Sequence, residues 1–213
     1  DADAFAATLR RGLRLVVFIG LPAGAGLLLV REPLAAAVFQ GGVFDAGDAM
    51  TVAFILAGYA PAVWAYSMTH VLTRAFYARG DAITPVRVAL AIVVINLVLN
   101  LVLIWTPLNI SGLAWSTALC AVIQVAVLLR LARRHVQRPV DEVVVGSWCR
   151  TLVLAAAMTA AVAAATPLAW TEGGSWTDSL WALAILVPLG IAVVGLGGLL
   201  LGMPEVRWAI GRR

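Results

Sequence analysis

The chain has 213 residues, of which 62% are hydrophobic and 12% charged, with a mean hydropathy of +0.98. A soluble domain carries about 45 to 50% apolar and about 25% charged residues, so this composition cannot cover a water-exposed surface and leaves no room for a soluble catalytic domain. The net charge is +4 and all 15 basic residues are arginine, but they sit beside apolar spans and form no continuous basic face, which argues against nucleic acid as a partner.

A segment that spans a bilayer must be helical, because lipid cannot satisfy open backbone groups, and it needs about 20 apolar residues. Six segments meet that need and predict an all-α, polytopic membrane helix bundle. The first runs from Leu13 to Phe39; Pro22, several glycines and Arg31-Glu32-Pro33 interrupt it, so a kinked or discontinuous helix is expected. The second runs from Ala49 to Tyr77. The third and fourth, Pro85 to Trp105 and Ile110 to Leu129, flank the turn-rich Thr106-Pro107-Leu108-Asn109 stretch and read as a tight antiparallel pair. The fifth, Trp148 to Thr166, and the sixth, Ser179 to Met203, flank the loop Thr171-Glu172-Gly173-Gly174-Ser175.

An even number of spans puts both ends on one side. Every arginine except Arg31 falls before span one, between spans two and three, between four and five, or after six. The positive-inside rule therefore places both termini in the cytoplasm. Trp170, Trp176 and Trp181 near the outer loop read as interfacial anchors. Cys120 and Cys149 have no metal-ligand spacing and read as small packing residues rather than a disulfide. The chain begins at Asp1, with neither an initiator Met nor a signal-peptide pattern, which is expected of a fragment of a longer chain.

Polar groups are costly inside a membrane, so their arrangement is the best clue to function. In span two, Tyr59, Tyr66, His70, Thr73 and Tyr77 keep to one stripe at about 100° per residue, with Arg74 one turn beyond His70. Such a stripe faces a cavity or another polar helix, and it suits a path for an anionic head group or a proton relay; interhelical hydrogen bonding is the competing reading. Span three carries Asn96 and Asn100 on one face, and span four offers Ser116, Thr117 and Gln124. Asn96, Asn100 and Thr117 are candidate ligands for a small cation such as Na⁺, although neither span has a carboxylate and hydrogen bonding between the helices is favoured. Spans five and six hold almost no polar side chain; Gly195, Gly197 and Gly198 suit close packing or a groove for an acyl or prenyl chain. The acidic residues all lie in loops, tails or span ends, and neither His70 nor His135 has a carboxylate nearby in sequence, so no catalytic constellation and no metal site is expected. With no phosphate-cradling glycine loop, ATP-driven transport is not expected, while coupling to a Na⁺ or proton gradient stays open.

Several stretches stand out in order along the chain: Gly20-Leu21-Pro22-Ala23, Arg31-Glu32-Pro33-Leu34, Phe39-Gln40-Gly41-Gly42-Val43-Phe44, Ala75-Phe76-Tyr77-Ala78-Arg79-Gly80-Asp81, Thr84-Pro85-Val86-Arg87, Asn96-Leu97-Val98-Leu99-Asn100 and Gly112-Leu113-Ala114 with Ser116-Thr117. With these stretches the chain resembles the C-terminal half of the MurJ/MviN family, bacterial lipid II flippases of the multidrug/oligosaccharidyl-lipid/polysaccharide exporter superfamily. The resemblance implies helices nine to fourteen of a fourteen-helix transporter. Residues 1–135 would be the latter part of the second lobe, with four spans, and 136–213 two extra helices with a basic tail. Odd-numbered helices then run outward, which agrees with the arginine distribution.

The implied activity is movement of lipid II, a polyprenyl-pyrophosphate glycolipid, from the inner to the outer leaflet of the bacterial cytoplasmic membrane by alternating access. Tyr59, Tyr66, His70, Thr73, Arg74 and Tyr77 would line the substrate path, and the partners would be membrane lipids and the missing N-terminal half of the same protein. The cavity arginines that the resemblance assigns to the pyrophosphate lie mostly in that missing half. His70 stands where the resemblance implies Lys, and Asn100 lies where an acidic residue sometimes stands. The alternatives are a flippase for another polyprenyl-linked glycan, a drug exporter of the same superfamily, or a membrane scaffold for cell-wall enzymes.

Overall fold

The computed structural model describes residues 2–40, 46–107, 110–171, 175–209 and 211. The glycine motif at 41–44, the loop positions 108–109 and 172–174, and Arg212 and Arg213 lie outside the described residues. Among the described residues eight helices follow one another: α1 Ala2–Phe39, α2 Ala46–Tyr59, α3 Ala62–Ala78, α4 Ile83–Leu103, α5 Ser111–Ala132, α6 Glu142–Ala169, α7 Trp176–Leu200 and α8 Pro204–Ala209. Five of them are long and apolar enough to cross a bilayer, and α2 and α3, bent by 42° at the break between them, are together long and apolar enough for a sixth crossing. The all-α membrane bundle expected from hydropathy is therefore the fold, and α8 is an addition to it.

The break in the first span falls elsewhere. α1 is one unbroken helix of 38 residues that runs through both Pro22 and Pro33. Each proline removes one backbone hydrogen bond, but α1 is gripped by α2, α3, α6 and α7 and both rings are buried. Near Pro33 the Arg31 guanidinium donates to the Leu28 carbonyl at 2.8 Å and pairs with Glu32 at 2.7 Å. The interruption instead occurs at Ala60 and Pro61, where Val63 N–H reaches back only to the Ala60 carbonyl, at 3.3 Å. Two glycines of α1 make room for this bend. A Cβ on Gly24 would lie 2.6 Å from the Ala60 oxygen, and one on Gly20 would lie 2.8 Å from the Trp64 Cα. This spacing of small residues lets two helix backbones approach closely, which is how membrane helices gain packing energy where lipid removes the hydrophobic drive between them.

α1 is the hub of the bundle. Leu9, Leu13 and Val17 recur at four-residue spacing and bury against a core that includes Met68, Leu72 and Phe76 of α3 and Val125 and Leu128 of α5. On another side of α1, Val30 packs with Met158 and Val162 of α6 and Ala182 and Leu186 of α7. α4 packs chiefly on α5, and its Leu90, Val93, Val94, Leu97, Val98 and Leu101 are exposed. Gly197 and Gly198 are close-packing positions, meeting Leu154 and Val206 respectively, whereas a Cβ on Gly195 would touch nothing within 4 Å.

At about 1.5 Å per residue α1 is about 57 Å long against a hydrocarbon core of about 30 Å, so its first turns extend past the membrane. There they meet the other basic segments. Arg10 pairs with Asp141 at 3.1 Å and donates to the carbonyls of Gln137 and Arg138, while Arg14 pairs with Glu205 of α8 at 2.7 Å. The α1 start, the α5–α6 loop and α8 thus share one end of the bundle. At the other end, Trp176 Nε1 donates to the Ala37 carbonyl at 2.7 Å and ties the start of α7 to the end of α1.

Candidate functional site

α3 is two-faced. Ala65, Met68, Leu72 and Phe76 are buried, whereas Tyr66, His70, Arg74 and Tyr77 are exposed and Thr73 is half-buried. At about 100° per residue Thr73, Tyr66, Tyr77 and His70 fall within about 60° of arc, and Arg74 lies about 40° further on. Tyr59 is exposed as well, but it ends α2, so the bend at Ala60 and Pro61 interrupts the helical count between it and Tyr66. Among the described residues, none of these six side chains has a hydrogen-bond or ion-pair partner. Together they form a polar strip that the described residues do not cover, on a crossing whose opposite face is packed solid.

The second polar group lies between α4 and α5. Asn100 Nδ2 donates to Asn96 Oδ1 at 3.1 Å, Ser116 Oγ donates to Asn100 Oδ1, and Asn96 Nδ2 lies 3.5 Å from Ser116 Oγ. Both asparagines are thus brought together as their spacing suggests, but the hydroxyl that joins them is Ser116. Thr117 instead donates to the Leu113 carbonyl of its own helix at 2.8 Å. Ser116 is fully buried and Thr117 is not, and burial was not legible from the i, i+1 pair. The ring of bonds satisfies each group at low dielectric, where an unmet amide would be costly.

Two polar contacts join residues too far apart in sequence for spacing to find. His135 Nε2 lies 3.2 Å from Asp81 Oδ2, and the imidazole meets the Phe76 ring edge to face at 5.3 Å. Asp81 also accepts from Thr84 N–H at 3.0 Å, closing the first turn of α4. The Thr84 backbone N–H and hydroxyl, followed by the smaller influence of His135, hold the Asp81 carboxyl below its ordinary value against the opposing effect of burial. The second contact is built around Glu205, which is fully buried: its Oε1 accepts from Arg14 Nε at 2.7 Å and Ser147 Oγ at 2.6 Å. Trp208 covers this pair, with the guanidinium carbons of Arg11 and Arg14 at 4.5 and 5.0 Å from its ring. Cys120 and Cys149 are both free thiols, one buried and one exposed.

Comparison with known proteins fits this architecture. The family model "Lipid II flippase MurJ" matches residues 1–187. A protein of Vibrio cholerae named "Probable lipid II flippase MurJ" is 33% identical over 129 residues, covering 61% of this chain and 24% of the relative. A protein of the same name from Haemophilus influenzae is 28% identical over 206 residues, covering 95% of this chain and 40% of the relative. The chain therefore spans well under half the length of these relatives. A solved structure, "Lipid II flippase MurJ, inward closed conformation", superposes with a TM-score of 0.78 at 19% identity, covering 94% of this chain and 40% of that one, and it shares the fold. With the family model matching most of its length, the chain belongs to the lipid II flippase MurJ family.

Proposed function

We propose that this chain is the C-terminal part of a transporter, not an enzyme, that flips lipid II from the inner to the outer leaflet of the bacterial cytoplasmic membrane by alternating access. The carrying observation is the uncovered polar strip of α3, Tyr66, His70, Arg74 and Tyr77, in a chain whose named relatives are lipid II flippases. In the intact protein that strip, extended by Tyr59 and Thr73, faces the remaining helices across a central cavity and offers donors and a cation to the anionic head group. On this reading the crossings are helices nine to fourteen of fourteen. Residues 1–135 complete the second lobe, and α6 and α7, within 136–213, are the added pair whose lipid-facing groove takes the polyprenyl tail.

The basic end of the bundle, with both termini of this segment, faces the cytoplasm, as the arginine distribution supports. Coupling to a Na⁺ or proton gradient belongs to the same proposal: opening the bonds among Asn96, Asn100 and Ser116 would free three oxygen ligands at one spot between α4 and α5. The test is outer-leaflet lipid II in cells depleted of their own flippase and supplied with the full-length protein. Restored exposure is expected; its absence despite verified insertion would overturn the lipid II assignment.

A further inference from the structure

At the basic end Arg10 and Arg14 pair with carboxylates, whereas among the described residues the arginines at the end of α5 do not. Arg130, Arg133 and Arg138 are exposed, and among the described residues none of their guanidinium groups makes an ion pair or a hydrogen bond. They surround a cavity of about 650 Å³ whose remaining walls include Leu129, Pro139 and Val140. Three uncompensated cations around one concavity repel one another, so the arrangement favours an anion between them.

The turn that presents Arg138 is built rather than loose. Arg138 has φ of 53°, a left-handed conformation that a non-glycine residue adopts at a cost, and the Arg10 guanidinium holds it there by donating to the Gln137 and Arg138 carbonyls at 3.1 to 3.3 Å. Arg138 also borders a neighbouring depression that holds two carboxylates, but among the described residues neither makes an ion pair with it. Asp141 pairs with Arg10 and caps α6 at Val144, and Glu142 lines the adjoining depression with Val143 and Gly146.

The approach to the cavity is apolar. Leu119, Val122 and Ala126 are exposed on α5 and lead, at three- and four-residue spacing, to Arg130 and Arg133. An apolar track of about two helical turns that ends in a ring of guanidiniums at the membrane boundary matches a lipid with acyl chains in the bilayer and a phosphate at the interface.

We propose that Arg130, Arg133 and Arg138 form a binding site for the phosphodiester head group of an anionic phospholipid, with the acyl chains lying along Leu119, Val122 and Ala126. The site is formed by the end of α5 and the turn after it, shares no residue with the α3 strip, and does not depend on what the protein transports. It anchors the α5–α6 connection to the lipid surface, and guanidinium forks provide the paired donors that a phosphate accepts.

The test titrates spin-labelled phosphatidylglycerol and phosphatidylcholine into phosphatidylcholine vesicles carrying the full-length protein and reads the motionally restricted fraction. An arginine near a lipid surface contributes about fivefold in affinity, so the parent should prefer phosphatidylglycerol and R130Q/R133Q/R138Q should lose that preference. The charge-matched R87Q/R150Q/R207Q should keep it. Equal loss in both triple variants overturns the site in favour of diffuse surface charge, and displacement of the labelled lipid by millimolar inorganic phosphate overturns the lipid assignment in favour of a free anion. Because removing arginines can disturb insertion, R130K/R133K/R138K provides the second variant. It retains the charge but loses the fork and should bind several-fold more weakly; binding as tight as the parent's overturns the guanidinium pocket.

Discussion

Arg14 in α1 and Glu205 in α8 are 191 positions apart, yet they meet at 2.7 Å in a setting where the carboxylate is only 1% exposed. Ser147 of α6 shares the same carboxylate oxygen, so three helices converge on one buried charge. Breaking such a pair from one side leaves an uncompensated ion and costs about 3 to 5 kcal/mol, whereas replacing both partners with apolar groups can be neutral. Arg14→Leu and Glu205→Leu should each lower the thermal unfolding midpoint of the full-length protein in detergent, and the double variant should recover most of the loss. Additive losses in the double variant would show that the two side chains act independently.

The close approach of α1 to the bent crossing predicts a contrast between two glycines on one helix. Gly24→Ala would place a methyl group 2.6 Å from the Ala60 carbonyl, a backbone atom that cannot swing aside, while Gly26→Ala would meet only the flexible Met158 Cε, at 4.0 Å. Overpacking of this kind costs about 1 to 3 kcal/mol, and an alanine in an open helical position costs nothing. Gly24→Ala should destabilise and Gly26→Ala should not, as read by thermal unfolding. Equal midpoints for the two variants would contradict the helix contact.

Hydropathy made the six crossings legible because each needs only length and apolarity, and arginine placement gave their common end. The position of the break was not legible. Pro22 and Pro61 look alike in sequence, but Pro22 lies in a helix packed on several sides, whereas Pro61 lies where Gly20 and Gly24 of α1 leave space for a freed carbonyl. The polar strip on α3 followed from periodicity alone, since its residues and the buried Met68, Leu72 and Phe76 occupy opposite arcs. By sequence alone Glu205 belongs with the acidic residues of loops and tails. Its burial depends on α8 folding back onto α1 and α6, and the only sequence trace of that is an acidic residue beside Val206 and Trp208 in a basic tail. The contact between Asp81 and His135 was hidden for the same reason, because two loops 54 residues apart are joined only by packing of the helices between them.

The hydrogen bonds that Asp81 accepts from Thr84, more than its contact with His135, give a pH dependence whose sign follows from Asp81. Its carboxyl is held below the ordinary value, so its contribution to stability is complete above the usual carboxylate pKa of about 4 and is lost as pH falls through the lower folded value. Asp81→Ala should lower the unfolding midpoint at neutral pH. The difference between parent and variant should stay constant down to about pH 5 and shrink on further acidification. A difference that grows with acid would reverse the assignment.

The amide and hydroxyl ring between α4 and α5 separates packing from ion binding. Asn100→Ala removes the donor to Asn96 within α4 and the acceptor for Ser116 of α5, and a hydrogen bond between membrane helices such as the latter is worth about 0.6 to 2 kcal/mol. A modest loss of stability that is the same in NaCl and KCl is expected. Asn100→Asp adds the missing negative charge among oxygen ligands and should make stability rise with NaCl more than with KCl. If the parent already shows that Na⁺ preference, the ring holds an ion without a carboxylate.

The α3 strip gives the most direct functional prediction. A hydrogen bond to a charged group is worth about 1.5 to 3 kcal/mol, or roughly ten- to a hundredfold in rate when it is made only during passage of the substrate. His70→Ala and Arg74→Gln in the full-length protein should therefore reduce lipid II flipping by at least about tenfold while leaving insertion and unfolding unchanged, because both side chains are exposed and, among the described residues, unpaired. Val94→Ala on the exposed face of α4 serves as the comparison and should flip normally. Unchanged flipping at normal expression in both strip variants would remove α3 from the substrate path and leave its polar residues as contacts to the remaining helices.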